Sequence, residues 1–400
     1  MKIWKKTLLA LLSVILLAQI PFIYRRYQTG LLAGKISKLA EGRSIVLRSD
    51  FVDYKGVVHI HSSLGGHSTG TFEELIAGAK SNDLDFVVMT EHTSEQFDTS
   101  SLTLRGFVDD ILFVNGNEAG TKDGRLLYLE GFNGAHVTSQ KTTSLAIEQA
   151  RKEHRVIFGL YPERFNLGEE DIDGIEIFSL HTSAKKMNPL TFIPSALWSL
   201  GYPELTLAKY FTRPTRNLEE YDALTKHKKL TLFAGNDAHS NLGFYLFGTD
   251  TGYKLFYLKF DKYESVFRLV RTHVVIPKGT KLTKESLFLA LKDGHTFIGF
   301  DILGDTSGFL FTAENGGEEK IMGNEIAFDS GQITLKSFAP QSSRFVLLRN
   351  GAKVFESKDT TNLSFDVKEK GAYRVEVYLD TLGSPFDETP WIMSNPIYIR

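Results

Sequence analysis

From Val57 to Ala234 the sequence repeats one unit: a short apolar run, polar residues just beyond it, then an amphipathic stretch. The runs Val57–His61, Phe86–Thr90, Ile111–Val114, Val156–Leu160, Ile175–Phe178 and Leu230–Ala234 read as strands. Apolar residues at three- and four-residue steps predict helices over Phe72–Ser81, Ser144–His154 and Asn217–Lys228, with a further helical segment around Ser286–Lys292. Strands alternating with helices argue for parallel βα units, either an open doubly wound sheet or a closed barrel. The polar residues separate the two. Strand after strand ends in groups able to bind metal: His59 and His61, Glu91 and His92, Glu118, Asp237 and His239. An open sheet concentrates its chemistry at one crevice, whereas a barrel gathers it from many strand ends around one mouth. A barrel is the expected fold.

The first pair sets the chemistry. Side chains at i and i+2 of a strand share a face, so His59 and His61 would aim at one point. Asp237 and His239 repeat that spacing after Leu230–Ala234, and Glu118 follows Ile111–Val114 through a Gly-containing turn. Of eleven histidines, six (His59, His61, His67, His92, His136 and His239) sit at or just after expected strand ends, a placement that scattered structural histidines have no reason to choose. Nitrogen and oxygen ligands without thiolate suit Zn, Mn, Fe or Ni, the first three being expected. There are more of them than one catalytic ion takes from a protein, so two or three divalent ions are expected, with Glu118 as a bridging carboxylate. Such a site activates water and clamps phosphoryl oxygens, which makes phosphoester hydrolysis the first reaction class. Gly65-Gly66 would let the loop turn to bring His67 back.

The ordered set His59-x-His61, His67, Thr90-Glu91-His92, Glu118 and Gly235-Asn236-Asp237-Ala238-His239 resembles the PHP (polymerase and histidinol phosphatase) superfamily. That resemblance covers about residues 55–300. It implies a distorted (β/α)7 barrel with a di- or trinuclear metal centre and phosphoesterase activity. It places His59, His61, Glu118 and Asp237 around one ion and His67, His92 and His239 around another. Glu118 would bridge to a third ion that also uses His136. The ending Pro390-Trp391-Ile392-Met393-Ser394-Asn395-Pro396 is similar to a bacterial carbaryl-hydrolase-like branch with a C-terminal β-sandwich. One position departs from the pattern. Tyr161-Pro162 stands where the family has His-Pro, and a phenol with an ordinary pKa of about 10 is a poor ligand. A two-metal enzyme, a tyrosinate ligand or a weakened site follows, the first being favoured. Arg164 would reach a substrate phosphate or make a surface ion pair, and Glu176 would orient a histidine or be an ordinary barrel carboxylate. His154, His181, His227, His273 and His295 fit no motif and read as structural or exposed.

Outside the barrel, Lys2, Lys5 and Lys6 precede an uncharged run from Thr7 to Tyr24, closed by Arg25 and Arg26. As a helix it spans roughly 27 Å at ~1.5 Å per residue, close to a bilayer core. An uncleaved signal anchor over residues 1–27 is expected, with a polar linker containing a short helical piece over 28–50 and the bulk outside the cytoplasm, in the cell envelope. A cleaved signal with secretion is the alternative. Residues 51–304 would form the barrel. Between residues 187 and 216, Pro189, Pro194, Pro203 and Pro214 among aromatics and leucines suggest a helix pair over the barrel, or a lid or membrane-facing surface. From 305 to 400 short alternating strands punctuated by Asn315-Gly316-Gly317, Asn350-Gly351 and Lys370-Gly371 read as a small all-β Ig-like sandwich with a packing or interaction role. A net charge of -2 with no basic block past the N-terminus gives no nucleic-acid surface, and the absence of cysteine excludes thiolate chemistry. The expected partners are a small-molecule or phosphoester substrate and the membrane. A carboxylic or carbamic ester hydrolase on the same site, and a non-catalytic metal- or ligand-binding envelope protein, are the competing readings.

Overall fold

The computed structural model describes residues 3–44, 50–165, 167, 171–185, 188–199, 201–241, 243–244, 247–248, 254–255, 258–329 and 331–400. A closed ring of seven strands stands at its centre: β1 (Phe51–Ile60), β2 (Phe86–His92), β3 (Ile111–Gly120), β4 (Arg125–Tyr128), β5 (Ile157–Gly159), β6 (Gly174–Ser179) and β7 (Thr231–Ala238). Pairing runs from each strand to the next and closes from β7 back to β1. All neighbours are parallel except β4, which is antiparallel to both β3 and β5. The barrel is thus mixed. The strand at Arg125–Tyr128 was not legible as a separate unit because it follows β3 through a tight turn with no helix between.

Alternation sorts the side chains. Val58, Val88, Val114, Leu127, Phe158 and Phe233 pack together as one cluster, while Val57, Met89, Phe113, Leu126, Ile157 and Leu232 belong to another that contacts the surrounding helices. Period-two alternation on closed strands produces this division. Among the helices are α1 (Ile3–Glu41), α2 (Phe72–Ser81), α3 (Thr143–Lys152), α4 (Pro189–Trp198), α5 (Pro203–Ala208), α6 (Thr215–Thr225) and α7 (Lys284–Asp293). Helix α2 starts where Thr71 and Glu74 form a reciprocal capping box, which fixes its entry after the His67 loop.

Two expectations change. The segment read as a polar linker with a short helical piece over residues 28–50 is instead one continuous helix through Glu41, because α1 runs on past the apolar run. Leu32, Ile36 and Leu39, at helical spacing, pack on the core and hold it there. Residues 45–49 of that segment lie outside the described residues. The C-terminal region is antiparallel β as expected, but its hydrogen bonds do not stop at residue 304. Strand β8 (Arg271–Pro277) pairs with β1, β9 (Thr296–Gly299) with β8, and through them the sheet runs on. After β10 (Leu310–Asn315), β11 (Ile333–Arg349) and β12 (Ala352–Asp366) come β13 (Gly371–Tyr378) and β14 (Ile392–Ser394). Strand β14 pairs with both β9 and β13, joining the region to the barrel sheet rather than leaving a free-standing sandwich.

The Pro390–Pro396 stretch makes that join. Trp391 is fully buried and donates from Nε1 to Gly304 O at 2.7 Å. Asn395 donates to Leu232 O at 3.0 Å and Thr296 O at 2.8 Å, and accepts from Leu232 N at 2.8 Å. Its amide therefore bridges β7 and β9 where their own ladders end. Asn350 (φ 52°) and Gly351 (φ 86°) are both left-handed between paired β11 and β12, the type I′ geometry expected of Asn-Gly.

Candidate metal centre

His59 does not sit on regular strand. Its φ is +68°, and the register of β1 shifts there against both neighbours: Val58 faces Gly235 but Ile60 faces Ala238. The bulge matters for aim. With Val58 directed into the barrel, strict alternation would send His59 outward; the extra turn brings His59 to the inner side, and His61 follows. Their ring centroids lie 5.1 Å apart. On β7, Asp237 is also left-handed, at φ +47°, and Tyr161 beyond β5 has φ +52°. Left-handed non-glycine backbone costs on the order of 1–3 kcal/mol per residue and is retained where surroundings enforce it. Three such residues meet at one mouth.

One ligand atom from each of His59, His61, Glu118 and Asp237 lies within 4.8 Å of the others, and all four residues are buried. His59 Nε2 and His61 Nε2 are each 3.2 Å from Glu118 Oε2, and 3.6 and 3.5 Å from Asp237 Oδ1. A second set, His61, His92 and His239, adjoins the first. His61 stacks on both of the other rings, 4.4 Å from each, and those two lie 5.8 Å apart. The His67 ring stands edge-on to His92 at 5.0 Å, on an exposed loop. His136 lies on a short 3-10 helix, Ala135–Gln140, and enters neither set. Glu91 points the other way: it accepts from Ser62 and Thr103 and fixes the loop after β1, leaving His92 as the inward residue.

The outer contacts orient these groups. Glu176 Oε1 is 2.7 Å from His59 Nδ1, so the Nε2 edge faces the centre. His239 Nδ1 lies 2.8 Å from Asp237 O, with the same effect. Tyr161 donates from its hydroxyl to Asp237 Oδ2 at 2.9 Å, and the Arg164 guanidinium lies over the Tyr161 ring at 5.4 Å. Gly235 is required beside them, since a Cβ there would fall 1.6 Å from Glu176 Oε1. Two residues were missed in the sequence. Arg125 donates from Nη1 to Glu118 Oε1 at 2.7 Å, and His181 stands 5.4 Å from His239. Alternation from Leu127 points Arg125 inward, but only once Arg125–Tyr128 is known to be a strand. His181 follows the end of β6 directly, the position that marked the other histidines.

The electrostatics match a crowded site. At His59, burial disfavours charge, yet Glu176, Asp237 and Glu118 together raise its pKa well above the ordinary histidine value. His61 is raised as well, against burial, by Asp237 and Glu118. Burial, aided by charge on His61, pushes His92 down to about 3 and His239 to about 4. Burial opposes ionisation of Glu118 and Asp237, but His59 and its neighbours hold both carboxyls below their usual range. Glu176 is lifted to about 7 by burial, despite its contact with His59.

The donor set fits a divalent metal. His61 Nδ1 and Nε2 and Asp237 Oδ1 are buried with no hydrogen-bond partner among the described residues, although Glu118 Oε2 is only 3.2 Å from His61 Nε2. Groups this close but misaligned for hydrogen bonding leave polar atoms unsatisfied, which is costly unless something else binds them. Imidazole nitrogens and carboxylate oxygens converging on one point suit a transition-metal ion.

No family model matches the chain, and no curated protein matches it. Among solved structures it is similar to the crystal structure of a two-domain protein containing a predicted PHP-like metal-dependent phosphoesterase from Bacteroides vulgatus ATCC 8482. The identity is 14%, 89% of this chain and 98% of that chain are covered, and the TM-score is 0.36. That likeness is too slight to assign chemistry, which rests on the residues themselves.

Proposed function

We propose that the chain is a metal-dependent hydrolase of phosphoesters, with its centre at the barrel mouth. The observation that carries this reading is the convergence of His59, His61, Glu118 and Asp237, buried and within 4.8 Å of one another, with atoms of His61 and Asp237 that have no hydrogen-bond partner among the described residues. These four would hold one ion, and His92 and His239, with His67 alongside, a second. Two ions suit the site better than three, because Arg125 already occupies Glu118 Oε1 and His136 stands outside both sets. Divalent Zn, Mn or Fe bound there would activate water and bind phosphoryl oxygens.

The chain's own residues have separable tasks in this proposal. Glu176 holds the His59 ring, and Tyr161 holds Asp237 through one carboxylate oxygen. The Arg125 side chain is partly exposed, and only one of its donors is engaged by Glu118. Its remaining N–H groups would donate to an anionic substrate oxygen, with the exposed Arg164 as a second candidate. This positive charge favours a phosphoester over a neutral ester.

The barrel would occupy residues 51–304 and the appended β region 305–400. One helix, Ile3–Glu41, is long and apolar enough to cross a membrane, and none of its most apolar window is buried. It would anchor the chain with the barrel on the extracytoplasmic side. The test is turnover of an aryl phosphate and of the matching aryl carboxylic ester by metal-loaded full-length protein. The account expects phosphate-ester turnover that is lost in Arg125→Ala. Turnover of the carboxylic ester alone would overturn the substrate class, and a folded, loaded protein inert to a broad panel of both would favour the binding protein.

A further inference from the structure

The apolar half of α1 projects from the molecule, but its end does not. Beyond the uncharged run, Arg25 donates to Ser195 Oγ at 3.2 Å and Arg26 to Trp198 O at 3.2 Å, both on the α4 side. Lys209, just after α5, donates from Nζ to Thr29 Oγ1. Trp198 Nε1 donates to Gln19 Oε1 at 2.8 Å, so α4 lies alongside the last turns of the apolar run. Between these elements is a cleft of about 320 Å³. Arg25, Arg26 and Lys209 line it, and no Asp or Glu does among the described residues.

Arg25 and Lys209 carry like charge across this cleft and repel each other. Burial, and after it the charge on Arg25, lowers the Lys209 pKa. The partners of Arg25 and Lys209 named above are hydroxyls, which leave the positive charge uncompensated. An anion with several acceptor oxygens would satisfy the cluster. Position indicates its source. Arg25 is the first charge after the run Thr7–Tyr24, so in a spanning α1 the cleft lies at headgroup depth. Trp198 and Tyr210, also in its wall, are the aromatic types that collect at that depth.

We propose that this cleft binds the phosphate of an anionic phospholipid headgroup. The proposal rests on α1 being a membrane anchor and is independent of the chemistry at the barrel mouth. It gives α4 and α5 a task that the catalytic reading leaves open: they clamp a lipid against α1 and fix the orientation of the barrel at the membrane surface. Basic side chains at that surface favour anionic over zwitterionic lipid.

The test uses full-length protein in neutral detergent and a fluorescent short-chain phosphatidylglycerol followed by anisotropy. Dioctanoyl phosphatidylglycerol, dioctanoyl phosphatidylcholine and inorganic phosphate serve as competitors at fixed ionic strength. Phosphatidylglycerol should displace the probe at concentrations about tenfold or more below the other two. The double variant Arg25→Gln/Lys209→Gln should weaken probe binding about tenfold, and Lys209→Arg should leave it near the starting value. Equal competition by phosphatidylcholine, competition by inorganic phosphate as strong as by the lipid, or an unaffected double variant would each overturn the proposal. Should the double variant lose its thermal transition, the single variant Lys209→Gln decides, with a threefold loss expected and no loss contradicting. Carbonate extraction of membranes tests the anchor separately: release of the protein would remove the anchor, whereas retention with no lipid preference would remove only the headgroup site.

Discussion

Two buried polar clusters in this molecule are built on opposite plans. One joins α6 to β13. Arg374 grips both oxygens of Asp222 at 2.7 and 2.6 Å and reaches Glu376 at 2.6 Å, while Arg213 grips Glu376 from the other side at 2.8 and 2.7 Å. Tyr378 donates to Glu376 as well. Every carboxylate is matched by a guanidinium, and Arg374 and Glu376 lie on a regular strand. The other cluster is the barrel mouth, where His59, Asp237 and Tyr161 have left-handed backbone and His61 and Asp237 carry buried atoms with no partner among the described residues. A polar cluster that satisfies itself holds the structure together; one that stays unsatisfied on strained backbone is prepared for something to bind.

Exchanging the two roles gives the most demanding predictions. In His59→Ala/His61→Ala, metal content and turnover should fall by more than about 100-fold, the loss typical of outer contacts alone, while the fold persists. Metal analysis and circular dichroism on one sample check both halves. Arg374→Ala should do the reverse. Removing one partner of a buried ion pair costs about 3–5 kcal/mol, read as a lower urea midpoint, with metal per folded chain unchanged. If His59→Ala/His61→Ala unfolds the protein and Arg374→Ala does not, the assignment of roles is inverted.

The same comparison extends to pH. Burial opposes charge at Glu376, but Arg374 and Arg213 prevail and bring its pKa from an ordinary 4.5 to about 2. A carboxyl depressed on folding contributes stability above its unfolded value and loses it as pH falls through the folded one. Part of the urea midpoint should therefore disappear between pH 4.5 and 2, and that part should be missing in Glu376→Gln.

Smaller effects separate positioning from binding. Glu176→Gln keeps the side chain's shape but removes the carboxylate that faces His59, so metal affinity should drop about 10–100-fold with the fold intact. Tyr161→Phe removes one hydrogen bond to Asp237 and should weaken metal affinity roughly tenfold or less. Chelator competition measures both. A larger loss in Tyr161→Phe than in Glu176→Gln would mean that the phenol contacts the ion directly.

Much of this was legible in the sequence because barrel strands write their chemistry at their ends. His59, His61, Glu118 and Asp237 are all visible as ligand types after apolar runs, and the structure brings them together. What the spacing does not reveal is the bulge. The His59-x-His61 pattern suggests simple alternation, whereas a left-handed His59 turns both rings inward. Arg125 was hidden because its strand is short and follows β3 without a helix, so no periodicity marks it. The continuity of α1 past residue 27, beyond the short helical piece expected there, was hidden for a different reason. Leu32, Ile36 and Leu39 are held by tertiary packing, and the polar residues between them mask the helical stripe. The role of Trp391 and Asn395 in joining β14 to the barrel depends on contacts with residues nearly ninety and more than one hundred and sixty positions away.

Metal stoichiometry bears most directly on the central claim. Full-length protein purified without chelators and reloaded with Zn, Mn or Fe should hold about two ions per chain, and His59→Ala/His61→Ala should lose them while remaining folded. A folded wild-type chain that retains no metal after reloading with each of the three would contradict the account.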